Sequence, residues 1–104
     1  MDIGTQTHLP ALRELLDYRR RALEADLHAA EQARGAGGPV EAPERRDREE
    51  MARVAAALRR LDEGVYGDCL QCGQPIPLQR LLVQPAAERC AACEATAAAA
   101  LRRH

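Results

Sequence analysis

Two Cys-x2-Cys pairs, Cys69/Cys72 and Cys90/Cys93, stand 17 residues apart in a chain of 104. No other feature restricts the fold as tightly. Two intervening residues let both thiolates of a pair reach one face of a tight turn. Seventeen residues suffice for a small loop or hairpin to return the second pair to the first. The spacing predicts one Zn²⁺ held by Cys69, Cys72, Cys90 and Cys93. Four thiolates on a tetrahedral ion leave no open position, so such a site is structural. Gly73 follows Cys72 where a knuckle requires a conformation that glycine tolerates. Cys90 and Cys93 lie where a final helix is expected to begin, and free N–H groups there favour thiolate charge.

Two other readings compete. A thioredoxin-like redox couple needs a βαβ setting and only one pair. A disulfide framework needs export. The N-terminus MDIGTQTHLP has neither a basic n-region nor an apolar h-region, so a cytoplasmic location is expected. The three histidines, His8, His28 and His104, are not needed as ligands and read as surface residues.

A staple is what this composition calls for. The chain has 21 alanines and 15 arginines, no Lys, Ser, Asn, Phe or Trp, and only Tyr18 and Tyr66 as aromatics. So short a chain without large aromatics cannot build a deep core, and must pack long helices side by side or be cross-linked. The sequence supplies both. Leu9, Leu12, Leu16, Leu23 and Leu27 form an apolar stripe, with Thr7 as the expected N-cap and Pro10 in the first turn. Gly35 to Pro39 (GAGGP) ends that helix, and a second starts near Pro43 with the stripe Met51, Val54, Leu58 and Leu61.

Two stripes joined by a short Gly/Pro loop predict an antiparallel coiled-coil hairpin over residues 1–63, with its tip at about 35–43. Its second arm would be about 30 Å long. The pairs Glu44–Arg48, Arg45–Glu49, Arg46–Glu50 and Glu49–Arg53 are expected at i,i+4 spacing on a solvated outer face. Residues 64–93, rich in Gly and Pro, read as turns with short strands: a C4 zinc finger. Residues 94–104 read as an Ala-rich helix, marginal alone and therefore expected to pack on the base. The fold class is a small, mainly α protein: helical hairpin, zinc finger and C-terminal helix.

Charge narrows the function. The net charge is −1, with acidic and basic residues interleaved, so the clustered basic footprint of a nucleic-acid binder is missing. The finger carries Asp68, Glu88 and Glu94 against Arg80 and Arg89. Four thiolates on one Zn²⁺ add a further −2, which makes the module a poor phosphate ligand. No direct DNA binding is expected. Apolar runs are too short and too charged to span a bilayer. No cysteine is left over, no acid–base cluster stands out, and no enzymatic activity is expected.

The segment LRRLDEGVYGDCLQCGQPIPLQRLLVQPAAERCAACE (58–94) resembles the DksA/TraR family of bacterial zinc-finger proteins. Leu58, Leu61, Gly64, Tyr66, Gly67, the four cysteines, Gly73, Ile76, Arg80, Leu81 and Pro85 carry the resemblance, over about a third of the chain. It implies a transcription factor that does not bind DNA, and the chain is expected to be a monomer. The family's hairpin enters the secondary channel of RNA polymerase, brings acidic residues in an Asp-x-x-Asp-x-Ala pattern to the active centre, and acts with ppGpp in the stringent response.

The tip GGPVEAPERR departs from that pattern. Glu41 and Glu44 keep the spacing of two carboxylates, while Arg46 replaces the alanine and matches a family position linked to polymerase interaction. The competing reading of Glu41 and Glu44 is that they begin a helix with favourable charge. Counted back from Cys69, the second arm is roughly four turns, or about 20 Å, shorter than in full-length members. Of the family's ppGpp contacts Arg53 is kept, while Gln84 and Glu94 replace cations. The expectation is an RNA polymerase-binding regulator with polymerase contacts at Glu41, Glu44 and Arg46 and a weak or absent ppGpp response. A structural or adaptor zinc module for another protein partner is the alternative.

Overall fold

A computed structural model describes residues 1–35 and 37–102; Arg103 and His104, expected in the final helix, lie outside the described residues. Among the described residues five helices follow one another: α1 (Ile3–Thr7), α2 (Leu9–Arg34), α3 (Ala42–Glu63), α4 (Leu78–Val83) and α5 (Ala91–Arg102).

Helices α2 and α3 form the antiparallel hairpin. Helix α2 stops at Gly35, whose N–H reaches the Glu31 carbonyl. Helix α3 has Glu41 as N-cap, Pro43 in its first turn and Gly64 as C-cap. At 22 residues and ~1.5 Å per residue, α3 is about 33 Å long. Leu12, Leu16 and Leu23 are fully buried against Val54 and Ala57, with Leu9, Met51, Leu58 and Leu61 packed around them. The apolar stripes thus meet as expected, although Ala57 lies deeper than the leucine that follows it. Its small side chain lets the arms approach closely.

The charges pair differently from the expectation. Of the four predicted i,i+4 pairs, only Glu44–Arg48 occurs among the described residues. Glu50 reaches across the hairpin to Arg19 instead, accepting from Nε at 2.8 Å and from Nη2 at 2.6 Å. Arg13–Asp62 and Arg34–Glu44 are further rungs from α2 to α3. A two-pronged guanidinium–carboxylate bond between fixed helices loses less freedom per bond than a monodentate pair along one exposed helix.

The N-terminus and the finger also differ from the expectation. Thr7 is not an N-cap: its hydroxyl donates to the Ile3 carbonyl inside α1. Asp2 caps that short helix by accepting from the Thr5 N–H, and Thr5 is buried. In the finger no strand forms among the described residues; an isolated antiparallel bridge, Asp68 to Pro75, and helix α4 take that place. Leu78 to Val83 lack glycine and proline, so the turn of helix after Pro77 meets no breaker. Helix α5 buries none of its residues. Among the described residues, Cys93 in its first turn packs against the core cluster and Glu94 meets Arg89.

Candidate metal centre and hairpin tip

The loop GDCLQCGQPI folds back on itself tightly. Cys69 N–H donates to the Gln74 carbonyl at 2.8 Å, Gly73 N–H to the Cys69 carbonyl at 2.9 Å, and Ile76 N–H to the Gly67 carbonyl at 2.8 Å. Gly73 takes φ 77°, a left-handed conformation that side-chain-bearing residues rarely adopt. Leu70 N–H donates to the Glu88 carbonyl at 2.8 Å and so ties this knuckle to the segment carrying the second pair. Cys90 precedes α5 and Cys93 lies in its first turn, with Glu94 N–H on the Cys90 carbonyl at 2.9 Å.

Together these bonds bring four sulfurs into one cluster. The Sγ atoms of Cys69, Cys72, Cys90 and Cys93 all lie within 4.8 Å of one another, and Cys72 and Cys90 are 3.9 Å apart. A tetrahedral ion at ~2.3 Å from each sulfur would set them about 3.8 Å apart, so the donors fit Zn²⁺. Burial pushes the Cys69 thiol up, but hydrogen bonds from Cys72, Cys90 and Gln71 outweigh it and bring it down to about 6. The hydrogen bond with Cys90, burial and the other two cysteines push Cys93 up to about 12. Four thiols this close cannot all ionise alone, and a divalent cation at their centre supplies the missing charge.

Behind the cluster sits Tyr66. It is fully buried, and its hydroxyl donates to the Pro85 carbonyl at 2.9 Å. Burial pushes its ionisation up to about 12. With Ile76, Leu81 and buried Cys69 it continues the apolar core from the hairpin into the finger.

Residues 64–97 match the family described as the prokaryotic dksA/traR C4-type zinc finger. Beyond the finger, the whole fold is similar to the solved structure of transcription factor DksA2 from Pseudomonas aeruginosa. The TM-score is 0.69 and the identity 28%, covering 94% of this chain and 88% of that one. The finger is similar to the dksA/traR C4-type zinc finger, and hairpin and finger together share the fold of DksA2. The four cysteines lie within the matched C4 finger and are positioned to hold one structural zinc.

A second family-like structure, the DnaK suppressor protein of Agrobacterium tumefaciens, is similar at TM-score 0.65 and 27% identity, covering 85% of this chain and 92% of that one. Curated relatives include the RNA polymerase-binding transcription factor DksA of Haemophilus influenzae, 36% identical over 52 residues, half of this chain. The DksA of Caulobacter vibrioides is 43% identical over 42 residues, 40% of this chain. The matches span only 36% and 30% of those relatives' lengths.

The other residues singled out in the sequence are placed as follows. Glu41 and Arg46 are exposed at the hairpin tip, and the Glu41 side chain forms no capping bond. Glu44 is not presented beside them: it is 5% exposed and lies between the arms. Sequence reasoning missed this because Glu44 reads as an ordinary first-turn acid of α3. Arg53, Gln84 and Glu94, distant in sequence, line one cleft of about 770 Å³ between the hairpin and the finger. Arg80 enters the same cleft, its Nε donating to the Arg89 carbonyl at 3.1 Å. Among the described residues no helix is long and apolar enough to cross a membrane.

Proposed function

We propose that this chain regulates transcription initiation in the cytoplasm by binding bacterial RNA polymerase at its secondary channel, as a monomer and without catalysing a reaction. The carrying observation is the similarity of hairpin and finger together to transcription factor DksA2 over 94% of the chain. Curated relatives named as RNA polymerase-binding factors support the partner.

In this reading the zinc finger is a rigid base and the hairpin a probe. The finger's thiolates and acids do not attract phosphate, and three ion pairs, Arg13–Asp62, Arg19–Glu50 and Arg34–Glu44, tie the hairpin's arms together. Glu41 and Arg46 are the tip groups available to a partner. The ppGpp response is weak or absent. Arg19, Arg53, Arg80 and Arg89 bring cations to the cleft, but Glu50, Glu88 and Glu94 offset them: Glu50 holds Arg19, Glu94 lies 3.3 Å from Arg89, and Gln84 is neutral. A polyanion gains little from such a set.

In-vitro transcription from a ribosomal RNA promoter tests this. The chain is expected to alter initiation alone, with ppGpp changing its effect by less than about twofold. No effect at any concentration contradicts the polymerase reading; strong synergy with ppGpp contradicts the reading of the cleft.

A further inference from the structure

Between Leu23 and Val54 the only buried side chain among the described residues is a charged one, Glu44. Its two oxygens accept from Arg34 Nη1 at 2.5 and 2.6 Å. Arg48 Nη2 lies 2.7 Å from the second oxygen. Arg34 belongs to the last turn of α2 and Arg48 to α3, so one carboxylate joins the arms directly beneath the tip loop.

The loop is shaped around this contact. A Cβ at Gly38 would lie 2.5 Å from Arg34 Cγ and 3.1 Å from the Arg34 carbonyl oxygen. The chain passes over the arginine stem only because residue 38 has no side chain. Arg34, 20% exposed, is thus covered by the loop that it holds down. Arg45 Nη1 adds a bond to the Val40 carbonyl at 2.8 Å, pinning the other side of the loop. Three residues before Glu44, the Glu41 carboxylate is exposed at the head of α3 and makes no capping bond among the described residues.

We propose that Gly38, Arg34 and Glu44 form a latch that fixes the tip loop and so positions Glu41 as the carboxylate the hairpin offers its partner. Glu44 is a positioning residue, not a contact. The latch follows from geometry alone, while the identity of the partner rests on the RNA polymerase reading above. A buried carboxylate is stable only while its cations remain, so removing either side frees the loop. Glu41 keeps its charge in that event but loses its fixed place.

Amide hydrogen exchange on the zinc-loaded full chain, paired with in-vitro transcription, tests this. Glu44→Gln and Gly38→Ala are expected to speed exchange in the loop and first turn of α3 by about tenfold or more, with the finger within about twofold of wild type. Arg34→Lys keeps the cation and restores part of the protection that Arg34→Ala removes. Glu41→Gln leaves exchange unchanged. Both latch variants and Glu41→Gln lower the transcription effect by about fivefold or more. Unchanged loop exchange in both latch variants overturns the latch. Faster exchange with a wild-type transcription effect overturns the positioning role, as does a fully active Glu41→Gln. A wild-type chain without any effect on polymerase overturns the polymerase reading and Glu41's part in it, while exchange separately upholds or overturns the latch.

Discussion

The two ends of the hairpin are held by different physics. Near the finger, Leu12, Leu16 and Leu23 interlock with Val54 and Ala57, and the core runs on through Tyr66, Ile76 and Leu81 to the zinc ligands. At the tip, the arms meet over Glu44 and its two arginines. Apolar packing tolerates salt and pH and is non-directional. An enclosed ion pair is directional, and fails abruptly when one partner goes. The base therefore gives the molecule its stability, while the tip gives one loop a defined shape.

Removing the metal breaks this comparison at its stable end. Apparent binding energies for structural zinc are about 10–16 kcal/mol in small fingers, so chelation or Cys69→Ser is expected to unfold residues 64–93. Circular dichroism and metal analysis check this: one zinc per chain before, and loss of the finger's fold after. A chain that keeps its fold without metal refutes the structural role.

Leu16→Ala comes next. Leu16 is fully buried in the hairpin, and truncation of such a side chain costs about 2–5 kcal/mol, measurable by denaturant unfolding. The same change at Leu27, which is half-buried toward the tip, is expected to cost less than half as much.

Tyr66 sharpens the picture of the base. Tyr66→Phe removes the donor to the Pro85 carbonyl and is expected to cost about 0.5–1.5 kcal/mol at neutral pH. Its ionisation is raised in the fold to about 12, above the ordinary value of 10. The neutral phenol's contribution is therefore complete below pH 10 and is lost as pH rises from 10 toward 12. Unfolding measured across that window should show a steeper alkaline loss in wild type than in Tyr66→Phe.

The smallest effect belongs to the exposed rung Arg19–Glu50. The hydrogen bond from Arg19 holds the Glu50 carboxyl below its ordinary range, against the cost of burial. Its contribution is present above the ordinary carboxylate pKa and is lost as pH falls through the lowered one. Glu50→Gln is expected to flatten the acid limb of the stability profile slightly, and high salt to weaken the same rung.

Local signals were legible in the sequence. The Cys-x2-Cys pairs announced the metal site, because ligand spacing is dictated by the chemistry of one ion. The leucine stripe announced the hairpin, because one helical period governs the whole arm. What stayed hidden depends on the phase of two helices against each other. Glu50 was matched with Arg46 along its own helix, yet its partner is Arg19, 31 residues away. Glu44 looked like a solvated first-turn acid until α2 placed Arg34 over it. Helix α1 and helix α4 are too short for periodicity to reveal, and tertiary contacts at Thr5 and Leu81 accompany them. Even the cleft joining Arg53, Gln84 and Glu94 needed the finger to fold back on the hairpin before it existed.

The central claim is that a zinc-stapled base presents this hairpin to RNA polymerase. The most direct measurement is binding of the zinc-loaded chain to purified bacterial RNA polymerase, in competition with a protein that occupies the secondary channel. The account predicts one chain bound per polymerase, displaced by the competitor and lost with Cys72→Ser. Binding that persists undiminished at saturating competitor, or no binding at all, would contradict it.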